Sequence, residues 1–267
     1  MASPLARPGL LWTIAVVLTI VSAAWQRVSG PTFPVRGQVT LGSETIRYRL
    51  ERTHAGDGDQ PVRIDVADRS VTGEVRWRRY PSDDAWQTIV MIRDVRALVA
   101  ALPNQPHAGK IEYQVRLARG GETAVAPDRV AITRFKGDIS LVIFAPHLGA
   151  MFLALLFGTR AGLAALAGEN VRRLTWWAVA CLALGGFVLG PAVQKQAFDE
   201  WWVGVPYGWD LTDNKTLVAG LAWAVAAWQV WRGRGRAAVV TAAIVMLAVF
   251  AIPHSTWGSQ IDWRAKP

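Results

Sequence analysis

The chain has 267 residues, 52% of them apolar and 18% charged, a balance that favours a membrane protein over a disordered one. Net charge is +9, but its sign varies along the sequence, so nucleic acid is not the expected partner. The one cysteine, Cys181, lies in an apolar run and excludes both an internal disulfide and a thiolate zinc site.

Leu10–Trp25 is apolar, comes after Arg7 and ends in small residues. Two readings fit: an uncleaved anchor helix within 1–29, or a signal peptide cut after Ala23, where Val21 and Ala23 match the cleavage pattern only in part. Either one exports residues 30–137.

Residues 30–137 are different material. Short alternating runs appear at Val35–Leu41, Thr45–Glu51, Val62–Val66, Glu74–Tyr80, Thr88–Arg93, Lys110–Leu117 and Arg129–Phe135, separated by turn residues such as Gly56-Asp57-Gly58-Asp59 and Gly120-Gly121. Short strands at this spacing predict an antiparallel β-sandwich. In Glu74-Val75-Arg76-Trp77-Arg78, Val75 and Trp77 share one face and the charges the other, as one buried face requires. Arg76, Arg78 and Arg79 read as a solvated face. Leu102-Pro103 followed by Gly109-Lys110-Ile111-Glu112-Tyr113-Gln114-Val115 resembles the tyrosine-corner region of fibronectin type III and immunoglobulin-like domains. That resemblance implies an all-β immunoglobulin-like sandwich and an interaction role, with no activity attached.

From 138 to 267 the chain reads as a four-helix transmembrane domain. Helices are expected at 139–158, 174–190, 216–231 and 237–253; at 1.5 Å per residue they span roughly 24–30 Å, enough to cross. With the first helix this makes five crossings. The links 159–173 (Arg160, Arg172, Arg173) and 232–236 (Arg232, Arg234, Arg236) are basic and should be cytoplasmic. The loop 191–215 is acidic and should face out, together with 30–137 and the C-terminus. Trp25, Trp201, Trp202, Trp209, Trp257 and Trp263 then mark the outer interface, and Trp176, Trp177, Trp228 and Trp231 the inner one.

The outer half collects the residues that could carry chemistry. His147 comes after Pro146 inside a predicted helix, where an ionisable group faces either the bundle interior or a wet cavity; the bland alternative is a neutral imidazole bonded to the Val142 carbonyl that Pro146 frees. His254 comes after Pro253, where it would otherwise cap helix carbonyls. Asp210, Asp213, Asn214 and Lys215 open the fourth helix. Thr212 or Asp213 would cap it and Lys215 would snorkel, or the group would form an ion-pair layer with Lys195. His147, His254, Asp210 and Asp213 together are a donor set for zinc, copper or iron, and two His on separate helices suit axial haem ligation. No Gly-x-Ser-x-Gly, His-Glu-x-x-His, P-loop or Gly-x-Gly-x-x-Gly is present. Gly186 and Gly190 form a small-xxx-small pair suited to close helix packing.

Gly190-Pro191-Ala-Val-Gln194-Lys195, Asp210-Leu-Thr-Asp213-Asn214-Lys215 and Ile252-Pro253-His254-Ser255 resemble bacterial inner-membrane proteins of unassigned function, over about 139–262. The resemblance implies a cytoplasmic-membrane location and no reaction. The expectation is a membrane protein whose exported sandwich binds an envelope protein; the alternative is a metal or haem site under the outer loop.

Overall fold

A computed structural model of the chain describes residues 8–254, 256 and 258–264. It divides into a helical unit, Met1–Pro31 with Ile139–Gly258, and a strand unit, Thr32–Asp138 with Ser259–Pro267.

Among the described residues the strand unit holds ten strands: β1 (Val35–Leu41), β2 (Glu44–Leu50), β3 (Thr53–Ala55), β4 (Gln60–Asp65), β5 (Thr72–Arg79), β6 (Gln87–Val90), β7 (Ile92–Asp94), β8 (Ala97–Leu102), β9 (Lys110–Arg119) and β10 (Glu122–Lys136). They form a β1–β2 hairpin, a five-stranded sheet in the order β3-β10-β9-β5-β6, and a three-stranded sheet in the order β4-β8-β7. β3 runs parallel to β10; the other pairs are antiparallel. Period-two patterning sets the register. Val75 sits opposite Val115 and Trp77 opposite Tyr113, all buried, while Arg76 points out. One apolar core draws on all three sheets, including Leu41, Leu50, Ile64, Trp77, Leu102, Tyr113 and Phe135.

Two local expectations change. The Tyr113 hydroxyl donates to the Glu51 carbonyl at 2.7 Å, between β2 and β3, and not to backbone just upstream of it as a tyrosine corner would. The tail, expected with the transmembrane domain, groups with the strands. Ile261 N donates to Ala108 O at 3.4 Å, Trp263 N to Pro81 O at 3.1 Å and Lys110 Nζ to Gln260 Oε1 at 2.6 Å, while Arg134 reaches the Ser259 carbonyl. After Pro253 the sequence has no apolar run, so main-chain groups there find partners at strand ends. Trp263 accordingly lies against Arg79, whose guanidinium is 4.5 Å from the ring centre. Trp257 lies outside the described residues.

The helical unit contains α1 (Pro8–Ser29), α2 (Leu141–Leu166), α3 (Arg172–Leu182), a π-helical segment (Ala183–Leu189), α4 (Gly190–Phe198), α5 (Leu211–Trp231) and α6 (Arg236–Ala251). α3, the π segment and α4 run on as one 27-residue helix, so the polar stretch expected to leave the helix at Gly190 stays helical to Phe198. Pro191 lies in the first turn of α4, directly after the π segment, whose wider hydrogen-bond spacing makes room for a residue that has no N–H to donate. α1, α2 and Arg172–Phe198 are long and apolar enough to cross a membrane. α6 is apolar but has 16 residues, and Asn214, Lys215 and Gln229 dilute the apolar character of α5. The interior is built from small residues, among them Ala154, Ala161, Ala164, Ala178, Ala219, Ala226 and Ala242, around Trp223 and Met246.

Candidate functional site

The polar groups singled out in the sequence gather where α4, the loop after it, the start of α5 and the end of α6 meet, and nearly all of them bond to main chain. Asp210 caps α5: its Oδ1 accepts from Thr212 N at 2.8 Å and Asp213 N at 3.3 Å, a task expected of Thr212 or Asp213. Asp213 is released for the loop. Its Oδ2 accepts from Val203 N at 2.7 Å and Gly204 N at 3.1 Å, with Gln194 as a side-chain donor. Asn214 Oδ1 takes the next amide, Val205 N, at 2.8 Å. Three successive loop amides thus meet one carboxylate and one amide oxygen on the first turn of α5.

Lys215 is buried, against the expectation that it snorkels, and its Nζ donates to Ile252 O at 2.6 Å. That bond completes a set at the end of α6. Gln26 Nε2 donates to Phe250 O at 2.8 Å and Trp25 Nε1 to Ala251 O at 3.2 Å. The last carbonyls of a helix lack internal donors, and here α1 and α5 supply them. These bonds take the carbonyls that His254 is expected to cap, and Lys215, His147 and Asp210 lie close enough for their charges to act on its ring. Lys195 Nζ donates to Asp199 O at 2.6 Å, closing the end of α4, where Asp199 turns left-handed at φ 63°. Bonds from side chains to main chain run through the whole of this layer.

His147 is held at the π segment. Its Nδ1 lies 2.9 Å from Gly185 O, on a different helix from the Val142 carbonyl expected to receive it. Gly185 O also accepts from Gly190 N, five residues on, which is the π spacing. A Cβ on Gly186 would lie 2.7 Å from Thr216 Cγ2, so the bare backbone lets α5 approach. Phe187 stacks on Trp202 of the loop, centroids 6.0 Å apart at 21°.

Among the described residues no group of three or more His, Cys, Asp or Glu is placed to hold a metal ion. Asp210 Oδ1 and Asp213 Oδ2 accept from main-chain amides, while the Gly185 bond of His147 uses Nδ1 and leaves Nε2.

The strand unit offers a second surface, on residues outside any motif in the sequence. β6 and β7 are both edge strands, β6 paired only with β5 and β7 only with β8 among the described residues. Along them Val90, Ile92 and Val95 are 73%, 72% and 80% exposed. Edge strands ordinarily carry charge or proline there. Val95, in the two-residue connection Val95-Arg96 before β8, has φ +49°, a region β-branched residues strongly avoid. A strained, exposed valine on an open edge does nothing for packing. The signal in the sequence is Thr88-Ile-Val-Met-Ile-Arg93, whose apolar run exceeds what alternation needs.

No family model matches the chain, and no curated protein matches it. Among solved structures it is similar to the crystal structure of chicken CNTN1 FN1-FN3 domains, at 11% identity over 38% of this chain, with a TM-score of 0.22. The chain spans 43% of that structure's length. A likeness that slight adds nothing to the strand pairing itself.

Proposed function

We propose that this is a membrane-anchored binding protein, in which an immunoglobulin-like sandwich outside the cytoplasmic membrane of a bacterium docks an envelope protein through the β6–β7 edge. The exposed valine and isoleucine strip on two edge strands carries the reading, because an open apolar edge is a template for strand addition and costs solubility unless something covers it. The sheet order supports the fold assignment: β6-β5-β9-β10 with a parallel β3 beyond β10, and β4 beside β8, is the arrangement of immunoglobulin-type domains, and Trp77 is buried on the strand where such domains carry their tryptophan. α5 and α6 complete a five-crossing bundle. Basic links at Arg172–Arg173 and Arg232–Arg236 favour the cytoplasm for that end, which exports the strand unit.

The test is site-specific photo-crosslinking of the full-length protein in its native envelope, with the reactive side chain at Ile92. A discrete adduct, lost when Val90→Asp is added, is expected. Absence of any adduct at both Ile92 and Val90 overturns the reading, as does thiol labelling that puts the β1–β2 turn on the cytoplasmic side.

A further inference from the structure

The first turn of α3 carries two cations that none of the described residues engages. Arg172 and Arg173 are exposed, and neither guanidinium has an ion pair or hydrogen bond among the described residues. Other arginines near this end are engaged: Arg160 pairs with Glu169 at 2.6 Å, Arg236 donates to Gly168 O at 2.6 Å, and Arg232 lies 4.7 Å from the Trp228 ring centre. The position is also electrostatically wrong for a helix, since the positive end of the backbone dipole repels cations and no acid in the turn offsets them.

Below them, on the same face of α3, Trp176, Trp177 and Ala180 line an open, mainly apolar surface groove with the two arginines. At 1.5 Å per residue the tryptophans lie roughly 6 Å and Ala180 roughly 12 Å further along the helix. The wall is braced. Trp177 stacks on Phe157 of α2 with centroids 6.1 Å apart, Phe157 meets the edge of Trp12 on α1 at 6.2 Å, and Arg160 lies 5.4 Å from the Trp12 ring centre. An apolar groove headed by paired, unneutralised guanidinium groups, at the end of a helix long and apolar enough to cross a bilayer, has the charge and polarity sequence of a phospholipid.

We propose that Arg172 and Arg173 bind the phosphate of an anionic phospholipid, whose acyl chain lies along Trp176, Trp177 and Ala180. This rests on Arg172–Phe198 crossing the membrane, and not on the β6–β7 edge having a partner. The test is native mass spectrometry of the full-length protein released from micelles doped with phosphatidylglycerol or phosphatidylcholine. At least one phosphatidylglycerol should survive activation that strips phosphatidylcholine. The double variant Arg172→Ala/Arg173→Ala should lower its retention about tenfold, Arg172→Lys/Arg173→Lys should keep part of it, and Arg234→Ala should leave it unchanged. Equal retention of the two lipids, or retention indifferent to the alanine pair, overturns the site. Displacement by soluble glycerol phosphate at the same concentration overturns the acyl groove. Alkaline carbonate extraction run alongside distinguishes these results from failure of the membrane reading, in which the protein itself would leave the pellet.

Discussion

The two units are packed by different means. The strand unit interlocks large side chains, with Trp77, Tyr113, Phe135, Leu102 and Ile111 nearly inaccessible. The helical unit puts alanine and glycine at its contacts and ties its helices by side chains to main-chain carbonyls: His147 to Gly185, Lys215 to Ile252, Trp25 to Ala251. Water drives the first kind of assembly, because each buried aromatic removes apolar area from solvent. Lipid offers no such drive between helices, so close backbone approach and interhelical hydrogen bonds must hold them. The contrast supports the membrane reading independently of hydropathy.

Opposite changes in size should therefore break the two units. Truncation should damage the strand unit most. Phe135→Ala removes a ring 1% exposed at the end of β10, and should cost about 3–5 kcal/mol. Hydrogen exchange in β9 and β10 of the full-length protein should speed accordingly, with α2 and α6 unaffected. Enlargement should damage the helical unit. A Cβ on Gly162 of α2 would stand 2.7 Å from the Ala243 Cβ of α6, so Gly162→Leu must push the two helices apart, at about 1–3 kcal/mol. Lower thermal stability of the helical unit in detergent, with an unchanged strand unit, is the expected result. If Gly162→Leu were silent, close approach would not be what holds these helices.

The same difference decides what could be read from sequence. The strand pattern was legible where alternation was regular, as in β5, because one face meets the core and the other solvent. In β10 only the second half, Arg129–Phe135, was legible, because register shifts between Ala126 and Ala131 and Pro127 interrupts the run; the three residues of β3, whose partner lies about eighty residues away, were not legible at all. Apolar runs showed the helices. They could not show that Pro191 begins a new helical segment instead of ending one, since that depends on Gly185 accepting from Gly190 across a π turn. Of the candidate site, the residues were visible and their duties were not. Asp210, Asp213, Asn214 and Lys215 look like an ionic cluster in sequence, and only the fold reveals that they serve main-chain amides and carbonyls.

A titration sharpens the comparison within the strand unit. Desolvation, then the neighbouring charge of Arg134, pushes the Lys110 pKa down to about 8. An unfolded lysine titrates near ~10.4. The folded state therefore binds the proton more weakly, a penalty complete below the folded value and relieved as pH climbs towards the unfolded one. Lys110→Met should stabilise the strand unit at pH 7 by on the order of 1 kcal/mol after allowance for solvent screening, and the advantage should shrink steadily between pH 8 and 10. A pH-independent gain would assign the effect to packing instead of charge.

The smallest change separates stability from binding. Val95 holds a left-handed backbone with its side chain in solvent, and removing the β-branch should relieve strain while glycine's larger unfolded-state entropy takes part of the gain back. Val95→Gly should leave the strand unit more stable by about 0.5 kcal/mol, read as a small rise in its thermal midpoint. If the β6–β7 edge receives a partner, the same substitution should reduce the yield of the Ile92 adduct, because it removes apolar surface from the strip and loosens the connection that presents it. A variant that is both more stable and less able to bind would show that the valine is kept for contact. One that gains stability and crosslinks as before would shift the contact to Val90 and Ile92, onto the strands themselves.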